Sequence, residues 1–87
     1  MDDLAEARNL GPRTAARLRE VGIENRAQLA EIGAIEAWHR LRFRFGTAVT
    51  RIALYAMAGA LAGYPWNQLP DALKAELDAV IEGERKG

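Results

Sequence analysis

The chain has 87 residues, enough for one domain with a single hydrophobic core. Its twelve basic residues balance twelve acidic ones, so it lacks the overall basic excess that dedicated nucleic-acid binders carry, and without cysteine it has no disulfides and no thiolate metal sites. One histidine and no serine leave no usual nucleophile–base pair and no histidine metal cluster, so we predict no enzyme activity, no metal and no cofactor.

The N-terminus is predicted to begin with a short helix. A cap at Asp2 or Asp3 starts it, and it runs to about Arg8 with Leu4 and Ala7 facing inward. The aspartates favour a helix start because a carboxylate accepts hydrogen bonds from unpaired backbone N–H groups.

The segment Asn9–Ala15 contains the sharpest local pattern in the chain. Asn and Gly tolerate the left-handed backbone of a tight turn, and Pro12 fits the first position of a helix, where its missing N–H is harmless. We therefore predict a second helix from Pro12 to about Val21, ended by Gly22. Its buried face carries Ala15, Leu18 and Val21.

Two further helices are predicted before the middle of the chain. Asn25 caps a third helix, Gln28 completes a capping-box-like pair, and Gly33 ends the helix. A fourth helix follows from Ala34 and is amphipathic. The residues at helical spacing on its inner side are Ile35, Trp38, Leu41 or Arg42, and Phe45.

The stretch Ala48–Ala62 is apolar or small on every side apart from Thr50 and Arg51. A helix of this kind is buried in a protein or in a membrane, and about 15 residues are fewer than the roughly 20 that cross a bilayer. We therefore predict a central core helix, capped by Thr47 after a turn at Gly46, and no membrane association.

The C-terminal third is predicted to contain a loop and one more helix. The loop spans residues 63–69, and Trp66 is expected to cover the open end of the central helix. Pro70 begins the last helix, with Asp71 in its first turn. The buried stripe of that helix is Leu73, Leu77, Val80 and Ile81.

Together these elements predict an all-α fold, a compact bundle of five to six short helices around a buried central helix. We expect one domain over residues 1–87, with a core of about 3–82 and a frayed end at 83–87. No leader that is first charged and then apolar opens the chain, so a cytoplasmic protein is expected.

The turn ahead of Pro12 is the first candidate binding site. A helix start presents unpaired N–H groups and the positive end of a dipole, and this one carries Arg13 and no carboxylate. The candidate phosphate-binding residues are Asn9, Gly11, Arg13, Thr14 and Arg17. The alternative, which local physics by itself favours, is a purely structural turn followed by solvated arginines.

A second candidate surface lies around Phe43 and Phe45, where aromatic rings could stack on bases and arginines contact phosphates. Its basic residues are Arg40, Arg42, Arg44 and Arg51. The alternative places arginines near a helix C-terminus with one Phe in the core. Trp38 and Trp66 are predicted to be core residues, and His39 a surface residue without a role.

Residues 9–15 resemble a helix-hairpin-helix motif, with Asn9 where the first hairpin glycine is usual. The wider pattern resembles the C-terminal domain of the TfoX/Sxy competence regulators over about residues 7–80, and residues 10–32 also resemble the C-terminal domain of the RNA polymerase α subunit. The family match is carried by Leu10–Ala15, Val21–Ile23, Leu29, Gly33–Ala34, Glu36–Ala37, Leu54–Ala56, Gly59–Leu61 and Trp66–Pro70.

This resemblance implies a regulatory module of helix-hairpin-helix type that is linked to DNA or transcription. The expected partner is DNA, bound weakly and without strong sequence preference, or a protein of the transcription machinery. The alternative function is a protein-interaction or homodimerisation domain without nucleic-acid contact, which the neutral net charge favours.

Overall fold

The computed structural model describes residues 4–86, and within this range helices are the only regular secondary structure. A 3-10 turn at Gly46–Ala48 interrupts the chain between the third and fourth helices. The helices are α1 (Pro12–Glu20), α2 (Arg26–Ile32), α3 (Ala34–Phe45), α4 (Arg51–Ala62) and α5 (Asp71–Lys86). The predicted all-α bundle of short helices is confirmed.

Helix α4 is the central core helix, as the apolar and small residues of its sequence predict. Its residues from Leu54 to Ala60 are all buried, and α3 and α5 pack against it. Only its ends reach solvent, with Ile52 and Leu61 partly exposed. Small side chains along α4 allow this packing because they let neighbouring backbones approach closely.

The predicted start of α4 is wrong by three residues. The helix begins at Arg51 because Gly46–Ala48 form the 3-10 turn and Val49 is extended, with its side chain buried. Thr50, not Thr47, occupies the N-cap position, and its side chain makes no capping bond.

The predicted first helix is also wrong over the part that the structure describes. Residues 4–9 form successive turns rather than a helix, and Asp2 and Asp3 lie outside the described residues. Leu4 and Ala7 are nevertheless buried as predicted. Trp66, predicted to be core, is 40% exposed, because the loop that carries it lies at the surface.

Helices α1 and α2 begin as predicted. Asn25 Oδ1 accepts a hydrogen bond from the Gln28 N–H at 2.8 Å, so Asn25 caps α2. The Gln28 side chain in turn accepts from the Glu24 N–H at 2.7 Å, one residue earlier than in a standard capping box. Helix α5 continues to Lys86, beyond the point at which we expected the ordered core to end.

A buried hydroxyl joins α4 to α5. Tyr55 is 6% exposed, and its phenol donates a hydrogen bond to the Asp78 carboxylate. Burial, and then the bond to Asp78, raise the pKa of Tyr55 above its usual 10.0, while Arg51 acts in the opposite direction. The neutral phenol is therefore the form that the folded state favours.

We predict that Tyr55→Phe lowers the free energy of unfolding at pH 7 by about 1–2 kcal/mol, because the hydrogen bond to a carboxylate is lost. In the native protein this contribution is fully present below pH 10 and is lost as the pH rises through the raised folded-state pKa. Urea unfolding of both proteins from pH 7 to 11 should show the difference shrinking at high pH. A constant difference would contradict the assignment.

Candidate nucleic-acid interface

The hairpin before α1 is built from one left-handed and one extended residue. Asn9 has a φ of 71°, as predicted for a turn residue. Gly11, which the turn pattern predicts to be left-handed too, is instead extended, with φ −122° and ψ −178°, so any residue could adopt its backbone. Leu10 between them is buried and fixes the hairpin to the core.

The start of α1 has an electrostatic character that is typical of an anion site. Pro12 occupies its first turn, Gly11 supplies no side-chain cap, and no acidic residue follows in that turn. Arg13 is exposed, and none of the described residues forms an ion pair or hydrogen bond with its guanidinium. Among the described residues, no side chain caps the N–H groups of this turn or pairs with the Arg13 guanidinium, so both are available to a ligand at one point.

Arg17, one turn after Arg13, is held differently. Its guanidinium carbon lies 5.3 Å from the centre of the Phe45 ring, and that of Arg44 lies 5.0 Å from the same centre. Both distances are within the range of cation–π attraction. Arg17 thus ties α1 to the end of α3, while Thr14 is half-buried on α1.

The side chain of Asn9 is a structural clamp. Its Nδ2 donates to the Tyr64 carbonyl at 2.8 Å and to the Ala56 carbonyl at 3.3 Å, and its Oδ1 accepts from the Trp66 N–H at 3.1 Å. All three partners lie far along the chain, so no local sequence pattern could reveal them. Because these bonds occupy the side chain, Asn9 holds the hairpin in place and does not present its amide to a ligand.

Gly59 makes this clamp sterically possible. A Cβ at this position would lie 2.5 Å from the Tyr64 carbonyl oxygen and 2.7 Å from Asn9 Nδ2. The loop after α4 therefore returns across the helix at backbone distance.

The arginines of the second candidate surface on α3 are paired with carboxylates. Arg40 Nε lies 3.3 Å from Glu36, Arg42 Nε 2.7 Å from Glu84, and Arg44 Nη2 3.4 Å from Glu20. Of these pairs, only Arg40–Glu36 follows from helical spacing in the sequence.

The aromatic residues near these arginines differ in exposure. Phe43 is 93% exposed, whereas Phe45 is half-buried between its two arginines. Trp38 is buried as predicted and donates from Nε1 to the Thr50 carbonyl at 3.1 Å. His39 is exposed, and its Nδ1 lies 3.1 Å from the Glu84 carboxylate.

Arg51, the remaining residue of the second candidate surface, lies at the start of α4, where its charge acts to lower the pKa of Tyr55. Within residues 4–86, no three His, Asp or Glu side chains cluster in a way that could hold a metal ion. No helix in the same range combines the length and apolar character needed to cross a bilayer.

Comparison with known proteins identifies the family. The model of the TfoX C-terminal domain matches residues 1–81. An uncharacterized protein from Listeria monocytogenes, crystallised in a triclinic form, is 33% identical, with a TM-score of 0.82 over 86% of this chain and 84% of that chain. A protein of unknown function from Listeria monocytogenes, in a tetragonal form, is 31% identical, with a TM-score of 0.86 over 92% and 98% of the two chains. No curated protein matches.

We predict that Asn9→Ala destabilises the protein by about 2–4 kcal/mol, because it removes the three hydrogen bonds and places alanine in the left-handed region. Asn9→Gly removes the same bonds but tolerates the backbone, so it should cost about 1 kcal/mol less. Urea unfolding measures both. A glycine variant as stable as the native protein would show that the clamp contributes nothing.

Gly59→Ala should destabilise the protein by about 1–3 kcal/mol, because the added methyl group collides with backbone and clamp atoms. The matched control is Gly83→Ala on α5, where a Cβ meets open space. It should stabilise the protein by up to about 1 kcal/mol through helix propensity. Equal effects of the two substitutions in thermal unfolding would contradict the close approach at Gly59.

Proposed function

Because this chain belongs to the TfoX C-terminal domain family, we propose that it is a small, non-enzymatic regulatory module that contacts the DNA backbone through the start of α1. One observation carries the proposal, namely the uncapped and acid-free first turn of α1 with Arg13 exposed beside it. A phosphate oxygen would accept hydrogen bonds from the free N–H groups there, and Arg13 would supply an opposite charge.

The residues around the start of α1 hold it rigidly for contact with a phosphate. The Asn9 clamp and the buried Leu10 hold the hairpin against the core, so little ordering is needed when a ligand binds. The resemblance of this hairpin to helix-hairpin-helix motifs also supports a contact with the DNA backbone. In this proposal Gly11 allows close approach of the backbone, while Arg17 supports the helix through Phe45.

The number of available charges limits the affinity. Arg13 is the cation at the helix start that none of the described residues pairs with, Arg17 is engaged with Phe45, and the whole chain is neutral. We therefore propose weak, non-specific DNA binding with a dissociation constant of about 10⁻⁴ to 10⁻⁶ M at physiological salt. We place this binding in the cytoplasm, in connection with transcription.

A second candidate function is binding to a protein, such as a component of the transcription machinery, without contact to nucleic acid. The observation that favours it is the pairing of Arg40, Arg42 and Arg44 with carboxylates, which leaves α3 with little net positive charge. Exposed Phe43 on the same helix would suit a protein partner.

We predict that Arg13→Gln weakens binding to a labelled DNA duplex several-fold at 50 mM salt and lowers the salt slope, d log K/d log[salt], by about one. The matched control is Arg26→Gln, which removes the same charge at the start of α2 and should leave binding unchanged. Fluorescence anisotropy measures both. No binding at low salt, or equal losses in the two variants, would remove the proposed contact.

A further inference from the structure

Phe43 is the most exposed large hydrophobic side chain among the described residues. It stands on α3 as a ridge between two open grooves of about 500 and 330 Å³. The larger groove is lined by Val21, Glu36, His39, Arg40 and Arg44. An almost fully exposed ring contributes nothing to the core. The Phe43 ring and the larger groove therefore form an apolar projection and an adjacent depression on the same face of α3.

The charges around this ridge are balanced, not uniformly basic. The three arginines nearest to Phe43 along α3 each pair with a carboxylate of the same chain. A surface selected for nucleic acid would leave cations unpaired, so this face fits a partner that itself carries both signs of charge.

The order of charges along α3 identifies such a partner. Glu36 lies near the N-terminal end of the exposed face, whereas Arg40 and Arg44 lie toward the C-terminal end. Two copies of this face placed antiparallel bring Glu36 opposite Arg44 at both ends, with Arg40 of each copy near the axis. A parallel arrangement brings Glu36 opposite Glu36 and Arg44 opposite Arg44. The two ends of the face are therefore complementary to each other in the antiparallel orientation only.

We propose that this α3 face, formed by Glu36, His39, Arg40, Phe43 and Arg44, binds a second copy of the chain across a two-fold axis. Phe43 of each copy enters the larger groove of the other, beside Val21. Glu36 of each copy faces Arg44 of the other.

The rearrangement required in each copy is small. Pairing Glu36 with Arg44 of the other copy breaks the intrachain pairs Arg40–Glu36 and Arg44–Glu20 and returns Arg40 and Glu20 to solvent. Both intrachain pairs are solvent-exposed and contribute little, so their loss has a low cost. The groove adjoins Val21, which follows the C-terminal end of α1. The start of α1 lies at the other end of that helix, so the dimer does not depend on the proposed DNA contact and leaves it accessible.

Sedimentation velocity over a range of protein concentrations tests the proposal with the full chain. We expect a monomer–dimer equilibrium whose dissociation constant rises more than about tenfold in Phe43→Ala. The matched control is Tyr64→Ala, which removes a partly exposed aromatic ring beyond the far end of α4 and should leave the constant unchanged. A native chain that stays monomeric up to about 1 mM would overturn the proposal.

Charge exchange tests the orientation. Glu36→Arg and Arg44→Glu should each weaken dimerisation severalfold, and the double variant should restore it, because each copy then presents the opposite signs at the same places. No recovery in the double variant overturns the antiparallel arrangement. If Phe43→Ala leaves the mass unchanged but weakens binding to a single-stranded oligonucleotide, the ring is a base-stacking residue and not a dimer contact.

Discussion

The hydrogen bonds of the Asn9 side chain connect the beginning of the chain to the loop after α4. This connection requires the loop backbone to pass directly over α4, and only a residue without a Cβ at Gly59 leaves enough space. The hairpin that precedes α1 is consequently placed by the contacts of the Asn9 side chain with α4 and the loop after it, in addition to the conformation of its own turn. Everything proposed for the start of α1 depends on this placement, since a loosely held turn would not keep N–H groups and Arg13 aimed at one point.

Tertiary structure also decides how the arginines act. Arg17 and Arg44 approach Phe45 from different helices, and Glu84 of α5 binds both Arg42 and His39 of α3. These contacts neutralise most of the basic character that the α3 sequence has when read alone. Within the described residues, Arg13 remains the cation at the helix start that no carboxylate compensates.

The proposals assign separate surfaces to separate partners. The start of α1 combines a helix dipole with the exposed guanidinium of Arg13, which is chemistry for an anion. The exposed face of α3 combines an apolar ring with paired charges of both signs, which is chemistry for a protein surface. A regulatory module with both surfaces would present two anion contacts when two copies associate, and weak single contacts gain strength when they act together.

The helical class, the buried centre of α4 and the starts of α1 and α2 follow from local sequence, because apolar periodicity, Pro12 and Asn25 act over a few residues. The order of the hairpin and core positions along the chain also identified the family. The clamp role of Asn9, the pairing of the α3 arginines and the partial exposure of Trp66 arise from packing between distant parts of the chain. Those outcomes depend on contacts between residues up to 57 positions apart, which no local pattern encodes.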